Sequence, residues 1–185
     1  SAASDVYKRQ VQFIGSRLEM VNSYHTLETE LKYEAKHHIT PEHPSYYSFC
    51  ASLHKEYPRS AEGDSIKAKL KEIVDKSLLA TRTDAINAYA LAVMYYNEGD
   101  EYNYEKYLAC SAIADIKNCN RDIASLEELS NMLYLQGDID RGYVYISHCL
   151  KAALLYPNRV RVINISAVMD KLQHAYSQRN EMQES

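Results

Sequence analysis

The stretch YYNEGDEYNYE, residues 95–105, decides the fold, because it recurs in altered form as LYLQGDIDRGY, residues 133–143. In both copies a helix-compatible run ends at a glycine that is followed at once by an aspartate. Glycine tolerates the left-handed backbone conformation that ends many helices, and aspartate is a preferred N-cap of the next helix. The two glycines, Gly99 and Gly137, lie 38 residues apart. This spacing predicts two successive helical hairpins built on one repeat pattern.

The composition of the chain favours an all-α protein of one folded unit. Its 185 residues are 46% hydrophobic, which is enough for a continuous core, and include only five Gly and four Pro. So few turn residues do not suit a many-stranded sheet protein. The net charge is −4 and the basic residues are dispersed along the chain. We therefore expect that this segment binds no nucleic acid, because the basic patch that such binding requires is missing.

Hydrophobic periodicity predicts further helices before the two hairpins. Residues Val11–His38 are helix-compatible up to the prolines Pro41 and Pro44, and a short helix follows as far as Tyr57. We interpret residues 59–64 as a loop in which Asp64 caps the next helix, and Gly63-Asp64 as a weak echo of the repeated glycine-aspartate pair. That next helix carries apolar residues at helical spacing, namely Ile66, Leu70, Ile73, Val74 and Leu78.

The hairpins themselves and one final helix complete the predicted order. The predicted helices are, roughly, Asp84–Glu98, Glu101–Lys117, Asp122–Gln136 and Ile139–Tyr156, followed by a last helix from about Asn158. Short turns between consecutive helices make them antiparallel neighbours. The last helix has one apolar stripe, formed by Val162, Ile165, Met169, Leu172 and Tyr176.

These elements divide the chain into successive parts. Residues 1–10 look like adapter-derived sequence and are set aside. The remaining parts are degenerate N-terminal helical repeats at 11–83, two hairpins at 84–156, a capping helix at 157–179 and a tail at 180–185. A hairpin cannot bury its apolar face alone, so a final amphipathic helix is expected to cover the open end of the stack.

The two hairpins resemble the tetratricopeptide repeat (TPR), whose nominal length is about 34 residues. Small or apolar residues occupy the expected packing positions of the first helix, Ala88, Leu91, Ala92 and Tyr95 in one copy and Leu126, Leu129, Ser130 and Leu133 in the other. In the second helix the small residue of the motif falls on Tyr104 and Gly142, so the first copy departs from the pattern there. The resemblance implies a right-handed α-solenoid of about seven helices.

A closer resemblance covers the chain from Tyr107 to Gln173. The segments SAIADIKN at Ser111–Asn118, LEELSNMLYLQGDIDRGYVYISHCL at Leu126–Leu150 and YPNRVRVINIS at Tyr156–Ser166 are similar to the TPR sensor regions of membrane-anchored helix-turn-helix transcriptional regulators of Bacteroidetes. In that family a signal peptide precedes the repeats, and a membrane helix and a cytoplasmic DNA-binding region follow them. The resemblance implies that this chain is the extracytoplasmic, periplasmic part of such a regulator. A cytoplasmic location is the alternative.

No transmembrane segment is expected within the chain itself. Its longest nearly uninterrupted apolar stretch, Ala88–Tyr96, is about half of the 18 or more residues that a spanning helix needs. The chain begins without Met and stops where the family would continue into the membrane, so we expect it to be a piece of a longer protein.

Counting from the glycines predicts which side chains line the concave groove of the stack. They are Tyr89, Val93, Tyr96, Asn97, Glu127, Asn131 and Tyr134. Tyrosine offers a large contact area with a polar tip, so this surface suits a protein or peptide partner. Alternatively, these tyrosines fill the space between repeats or face solvent. A second open hypothesis is that the helices mediate self-association and that no separate ligand exists.

Nothing in the sequence predicts catalysis, a metal site or a cofactor. No Walker loop, nucleophile elbow, dinucleotide fingerprint or His-Glu metal helix is present. His37, His38 and His43 could meet a transition metal, but a solvated loop beside prolines explains them equally well. The acidic pairs, among them Glu127 and Glu128, fit helix caps and solvated faces. Cys50, Cys110, Cys119 and Cys149 lack zinc-site spacing and are interpreted as buried or half-buried thiols, with a disulfide or a reactive thiol as the alternative.

Overall fold

The computed structural model describes residues 26–28, 30–53, 60–120, 123–155 and 159–184. This part of the chain consists of helices and short connections, with no β-strand among the described residues. Residues 30–36 are helical and belong to the predicted first helix, most of which lies outside the described residues. The helices that follow are α1 (Tyr46–Leu53), α2 (Ala61–Lys76), α3 (Arg82–Glu98), α4 (Glu101–Lys117), α5 (Ala124–Leu135), α6 (Ile139–Leu155) and α7 (Arg159–Glu184).

The helices pack mainly on their neighbours in the sequence, as a repeat solenoid requires. The closest associations join α3 to α4, α5 to α6 and α6 to α7, and α4 also packs on α5. One hydrophobic core runs through the stack. Its fully buried side chains come from several helices in turn and include Leu70, Leu91, Leu108, Ile146, Ile165 and Leu172. The predicted all-α helical repeat fold is therefore confirmed.

Both repeated glycines adopt the conformation that the sequence predicts. Gly99 has φ +76° and Gly137 has φ +83°, in the left-handed region. After each glycine the aspartate N–H donates to a carbonyl one turn back, from Asp100 to Tyr95 and from Asp138 to Leu133. The same aspartates then cap the next helix, since Asp100 accepts from the backbone of Asn103 and Asp138 from that of Arg141. One short sequence thus ends one helix and begins the next in both hairpins.

The start of α2 differs from the prediction. The helix begins at Ala61 and its N-cap is Ser60, whose side chain accepts the backbone N–H of Gly63 at 2.9 Å. Asp64, which we expected to be the cap, lies within the first turn, where its charge favours the helix N-terminus. Gly63-Asp64 is therefore no echo of the repeated turn.

The first hairpin also starts two residues before the predicted Asp84. Thr81 is the N-cap and forms a capping box with Asp84, so Arg82 is the first residue of the helix.

The last helix covers the end of the stack, as predicted, but it is longer than expected. Ile165 and Leu172 of the predicted stripe are fully buried, and Tyr176 stacks on Tyr143 of α6 with ring centroids 5.3 Å apart. The Arg179 guanidinium forms a two-pronged ion pair with Asp140. The expected tail at 180–185 is wrong for residues 180–184, which continue α7 because neither proline nor glycine stops the helix there.

Packing between α2 and the first hairpin extends the solenoid toward the N-terminus. Leu70 and Val74 of α2 enter the core, and the Lys67 ammonium lies 2.5 Å from the Glu98 carboxylate at the end of α3. The buried Tyr107 donates its hydroxyl to Asp75 at 3.1 Å and stacks on Tyr95. The degenerate N-terminal part is therefore joined to the hairpins by side chains that the repeat pattern does not specify.

No helix in the described part of the chain is both long and apolar enough to cross a membrane.

Candidate partner-binding cleft

A cleft of about 580 Å³ opens between the first helices of the two hairpins. Most of its lining residues belong to α3 and α5, and Tyr104 of α4 and Val168 of α7 also line it. The size falls within the range of roughly 300–1,000 Å³ that is usual for ligand sites. The described residues that line the cleft are Tyr89, Val93, Tyr96, Asn97, Tyr104, Glu127, Glu128, Asn131, Met132, Leu135 and Val168. We call this set the Tyr/Glu cleft.

Six of the seven residues predicted for the groove line the Tyr/Glu cleft. They are Tyr89, Val93, Tyr96, Asn97, Glu127 and Asn131. Counting along each helix from its glycine identifies residues on the same face. These faces meet in one cleft because α3 and α5 occupy equivalent positions in successive repeats.

Tyr134, the seventh predicted residue, does not line the cleft. It is half-buried and packs against the hydrophobic core, whereas Tyr96, its counterpart in the first repeat, is 64% exposed. Gly142 explains part of this difference, since it lets α6 approach α5 so closely that an added Cβ would lie 3.2 Å from the carbonyl oxygen of Ser130, one helical turn before Tyr134. In the first repeat the position of Gly142 is taken by Tyr104. The alternative of a packing role thus applies to Tyr134.

Glu128 stands at the centre of a hydrogen-bond network that sequence reasoning missed. Its carboxylate accepts the hydroxyl of Tyr89 at 2.8 Å and, through the other oxygen, that of Tyr104 at 3.0 Å. One acidic side chain of α5 is thereby bonded to both helices of the preceding hairpin. Burial and the neighbouring Glu128 charge raise the pKa of Tyr104 well above its usual value, so its hydroxyl stays protonated and keeps donating.

Tyr104 departs from the repeat motif and takes part in this network. It occupies the position where the repeat motif carries a small residue, and its ring lies 5.0 Å from that of Tyr96. A large side chain at this point fills space between the hairpins, and its hydroxyl then requires an acceptor, which Glu128 supplies. The departure of Tyr104 from the motif was visible in the sequence. Its partner was not, because Glu128 belongs to another helix and resembles a solvated residue by spacing alone.

A second, larger cavity of about 630 Å³ lies along the same helix α3. It shares Tyr89, Val93 and Asn97 with the Tyr/Glu cleft and extends toward α1 and the start of α5. Its wall is rich in hydroxyl groups, from Ser45, Ser48, Ser52, Ser111 and Ser125. Four of these hydroxyl groups are already paired. Ser111 bonds to Ser125 at 2.7 Å and donates to the carbonyl oxygen of Ala85, while Ser48 and Ser52 donate to the backbone carbonyl oxygens of Ser45 and Phe49. One open surface therefore follows α3 along most of its length.

The three clustered histidines and the four cysteines all lie among the described residues. No group of three or more His, Cys, Asp or Glu side chains is placed to hold a metal ion in this part of the chain. His43 accepts the backbone N–H of Ser45 just before α1, and His37 bonds to the carbonyl oxygen of Tyr33. None of the four cysteines forms a disulfide bond. Cys50 and Cys149 are buried and Cys110 is half-buried, but Cys119 is exposed, contrary to the prediction for it.

Comparison with known proteins identifies the repeat type. Residues 4–167 match the family model described as the SusR N-terminal TPR domain. The match begins inside the segment 1–10. The interpretation of that segment as adapter-derived sequence stays a prediction. Neither the curated proteins nor the solved structures contain a significant match. TPR domains are helical repeat modules that mediate protein interactions and are generally not catalytic. Because the matched range covers most of its length, the chain belongs to the family of SusR N-terminal TPR domains.

Proposed function

We propose that this domain binds a protein or peptide partner in the Tyr/Glu cleft and acts as the extracytoplasmic sensor part of a membrane-anchored regulator. One observation carries the proposal: six residues predicted to face a partner line a single open cleft between two repeats. The cleft combines large aromatic area with amide and carboxylate groups. Such surfaces suit polypeptide partners, which need both apolar contact and hydrogen bonds.

The last helix offers a route by which binding can affect the rest of a regulator. Val168 of α7 lines the cleft, so an occupant would contact α7 directly. The same helix is fixed to α6 by the Tyr143–Tyr176 stack and the Asp140–Arg179 ion pair. In the regulators that the sequence resembles, the membrane segment follows this helix. A partner that favours one position of α7 would thus bias the membrane-proximal end.

Partner binding can be tested with peptides selected against this chain from a random peptide library. We expect Tyr96→Ala and Asn131→Ala to weaken the selected peptides by about tenfold or more, which corresponds to about 1.4 kcal/mol. Val144→Ala, on the outer face of α6 and 62% exposed in the parent chain, should leave binding unchanged. Peptides whose affinity is insensitive to Tyr96 and Asn131 would place the binding surface elsewhere and contradict the proposal.

Light scattering of the unliganded chain tests the competing hypothesis of self-association. A monomer is expected if the cleft awaits a separate partner. A stable dimer that Tyr96→Ala and Asn131→Ala dissociate would show instead that the cleft is a dimer interface.

The proposed compartment can be tested at Cys119, which is the exposed cysteine among the four. In cells that make the full-length protein, with the outer membrane permeabilised, a maleimide that cannot cross the inner membrane should label Cys119. Cys119→Ser should remove this label. Labelling that requires disruption of the inner membrane would place the domain in the cytoplasm.

A further inference from the structure

Asn131 of α5 brings an unused hydrogen-bonding group into the Tyr/Glu cleft. Its side chain is half-buried and lines the cleft. The side-chain amide forms no hydrogen bond with any residue that the structure describes. Other polar groups of the cleft differ, because Tyr89 and Tyr104 donate their hydroxyls to Glu128. An occupant can therefore bond to Asn131 without breaking a hydrogen bond of the fold.

The side-chain amide of asparagine matches the main chain of an extended peptide. It carries an acceptor oxygen and a donor nitrogen side by side. In an extended segment, the N–H and C=O of one residue point to the same side and can bond together to such a pair, as they do between antiparallel strands. In a helix, these groups bond within the segment itself. Asn131 therefore favours an occupant whose backbone is extended where the two meet.

Glu128 fixes the part of α5 that carries Asn131. The two residues lie three positions apart on α5 and so share one face of the helix. The Glu128 carboxylate accepts the hydroxyl of Tyr89 of α3 at 2.8 Å and that of Tyr104 of α4 at 3.0 Å. These bonds hold this part of α5 against the preceding hairpin. A site that is ordered before binding loses less conformational entropy when it is occupied.

The apolar residues of the cleft suit apolar side chains on this occupant. Tyr96 is 64% exposed and Leu135 is 74% exposed, and both line the cleft. Leu135 lies one helical turn after Asn131 on α5, so the amide and this apolar surface adjoin. Val93 and Met132 add further apolar lining. A side chain that covers Tyr96 and Leu135 would remove their apolar surface from water.

The length of the cleft sets the number of residues that it accommodates. Its lining on α3 runs from Tyr89 to Asn97, a helical rise of about 12 Å. An extended chain advances about 3.3 Å per residue, so about four residues cover this distance. Successive side chains of an extended chain point to opposite sides, so about half of them can face the apolar residues.

We infer that Asn131 binds the main chain of an extended, apolar peptide segment in the Tyr/Glu cleft, through the N–H and C=O of one residue. Apolar side chains of the segment then cover Tyr96 and Leu135. This inference rests on the proposed function and specifies the conformation and chemistry of the partner. A contact to the main chain accepts different sequences, and the apolar surface beside it selects among them.

The test combines backbone methylation of a peptide with replacement of Asn131. The peptide is the tightest one selected from the random library, and each of its main-chain nitrogens is methylated in turn, which removes one donor and keeps every side chain. In fluorescence polarisation, we expect one methylated position to bind the parent chain about tenfold more weakly. The same methylation should change binding to Asn131→Leu by less than about twofold, because the donor has then already lost its acceptor.

Asn131→Leu also separates hydrogen bonding from apolar contact. Leucine is close to asparagine in size and favours a helix, so circular dichroism should show an intact fold. We expect this variant to bind the unmethylated peptide about tenfold more weakly, although it adds apolar surface to the cleft. Equal or tighter binding would mean that the cleft recognises apolar side chains alone, and would overturn the inference. If Asn131→Leu disturbs the fold, Asn131→Ala takes its place.

Asn164→Leu provides the matched control. Asn164 is exposed on α7 and is absent from the described lining of the cleft. This variant should bind the peptide as the parent chain does and show the same loss on methylation. A loss of affinity equal to that of Asn131→Leu would mean that the effect does not come from the cleft, and would contradict the inference.

The conformation of the bound peptide provides an independent measurement. With a peptide labelled with carbon-13, the Cα chemical shifts in the complex should indicate an extended backbone over about four residues. Helical shifts at the residues that bind would overturn the inference, since a helix uses its main-chain groups internally.

The remaining outcomes distinguish this inference from the proposed function. If peptides lose affinity in Tyr96→Ala and Asn131→Ala but no methylation is coupled to Asn131, the cleft binds a peptide in another way, and only the inference fails. If no selected peptide responds to Tyr96 or Asn131, the proposed function fails with it. A dimer of the unliganded chain that Asn131→Leu dissociates would place a second copy in the cleft and would overturn both.

Discussion

The hydroxyl of Tyr104 lies 3.0 Å from Oε2 of Glu128 and joins the second helix of one hairpin to the first helix of the next. Tyr104→Phe removes this bond and leaves the ring in place. Because the acceptor is charged and both groups are half-buried, we expect the free energy of unfolding to fall by about 1–2 kcal/mol in urea denaturation. Tyr102→Phe provides the control, since Tyr102 is 79% exposed and should be nearly neutral. Equal stability of the two variants would mean that the bond contributes nothing between the repeats.

Tyr96 and Tyr134 occupy equivalent repeat positions but should respond differently to alanine. Tyr96 is largely exposed and its main contact is the ring of Tyr104, so Tyr96→Ala should cost about 1 kcal/mol or less. Tyr134 packs against the core, and Tyr134→Ala should cost about 2–3 kcal/mol through lost burial and an unfilled space. Urea midpoints measure both values. A smaller cost at Tyr134 than at Tyr96 would contradict the packing described above.

The parts of the fold that the sequence could predict are those that depend on local chemistry. Gly99 and Gly137 followed by aspartate specify a helix end and a helix start within a few residues, whatever surrounds them. Once these turns are known, helical geometry fixes which residues of α3 and α5 share a face, and so the positions of Tyr89 and Asn131 in the cleft followed. Helical counting fails for Tyr134. The extent to which a helix face is covered depends on how closely the next helix approaches, and counting along one helix does not give that distance.

The errors arose where two local solutions compete or where a partner is distant in sequence. Ser60 and Asp64 are both good N-caps, and the glycine beside Asp64 favoured the wrong one; the helix that starts at Ser60 gains an additional turn. Glu128 and Tyr104 are 24 residues apart on different helices, so no periodicity relates them. The cavity beside Ser111 and Ser125 is likewise built from separate helices. Such features depend on tertiary packing, which local pattern does not encode.

Replacing either repeated glycine should destabilise the chain through backbone conformation alone. An added Cβ at Gly99 or Gly137 would meet no atom within 4 Å, but both residues have positive φ. The left-handed conformation costs a residue with a side chain about 1–2 kcal/mol, so Gly99→Ala and Gly137→Ala should each lower the free energy of unfolding by about that amount. Gly99→Asn should lose less, because asparagine tolerates this conformation better. An alanine variant as stable as the parent would show that the turn can adopt another conformation.

Gly142→Ala should destabilise for the opposite reason, a lack of space. Here the added Cβ would lie 3.2 Å from the carbonyl oxygen of Ser130 and 3.1 Å from Cδ2 of Leu172. The Ser130 hydroxyl also donates to the carbonyl oxygen of Gly142 at 2.8 Å, which holds α5 close to α6. Alanine favours a helix over glycine by about 1 kcal/mol, but overpacking costs about 1–3 kcal/mol, so we expect a net loss of roughly 1 kcal/mol. Val144→Ala is the control on the exposed face, and a gain in stability for Gly142→Ala would mean that the helices separate freely.

Asp138, the cap of α6, should make the stability of the second hairpin dependent on pH. Hydrogen bonds from the Arg141 guanidinium, at 2.6 Å, and from the Arg141 backbone N–H lower the pKa of the Asp138 carboxyl below its ordinary value of 3.8. Since the pKa is lower in the folded state, the stabilisation is complete above the unfolded pKa and is lost as the pH falls through the folded one. Asp138→Asn keeps an N-cap acceptor but cannot ionise. We therefore expect the Tm difference between parent and Asp138→Asn to be largest near about pH 6 and to shrink by about pH 3, while the other carboxyls titrate in both proteins and cancel. A difference that stays constant over this range would show that the charge of Asp138 contributes nothing and that its capping bond alone stabilises the helix.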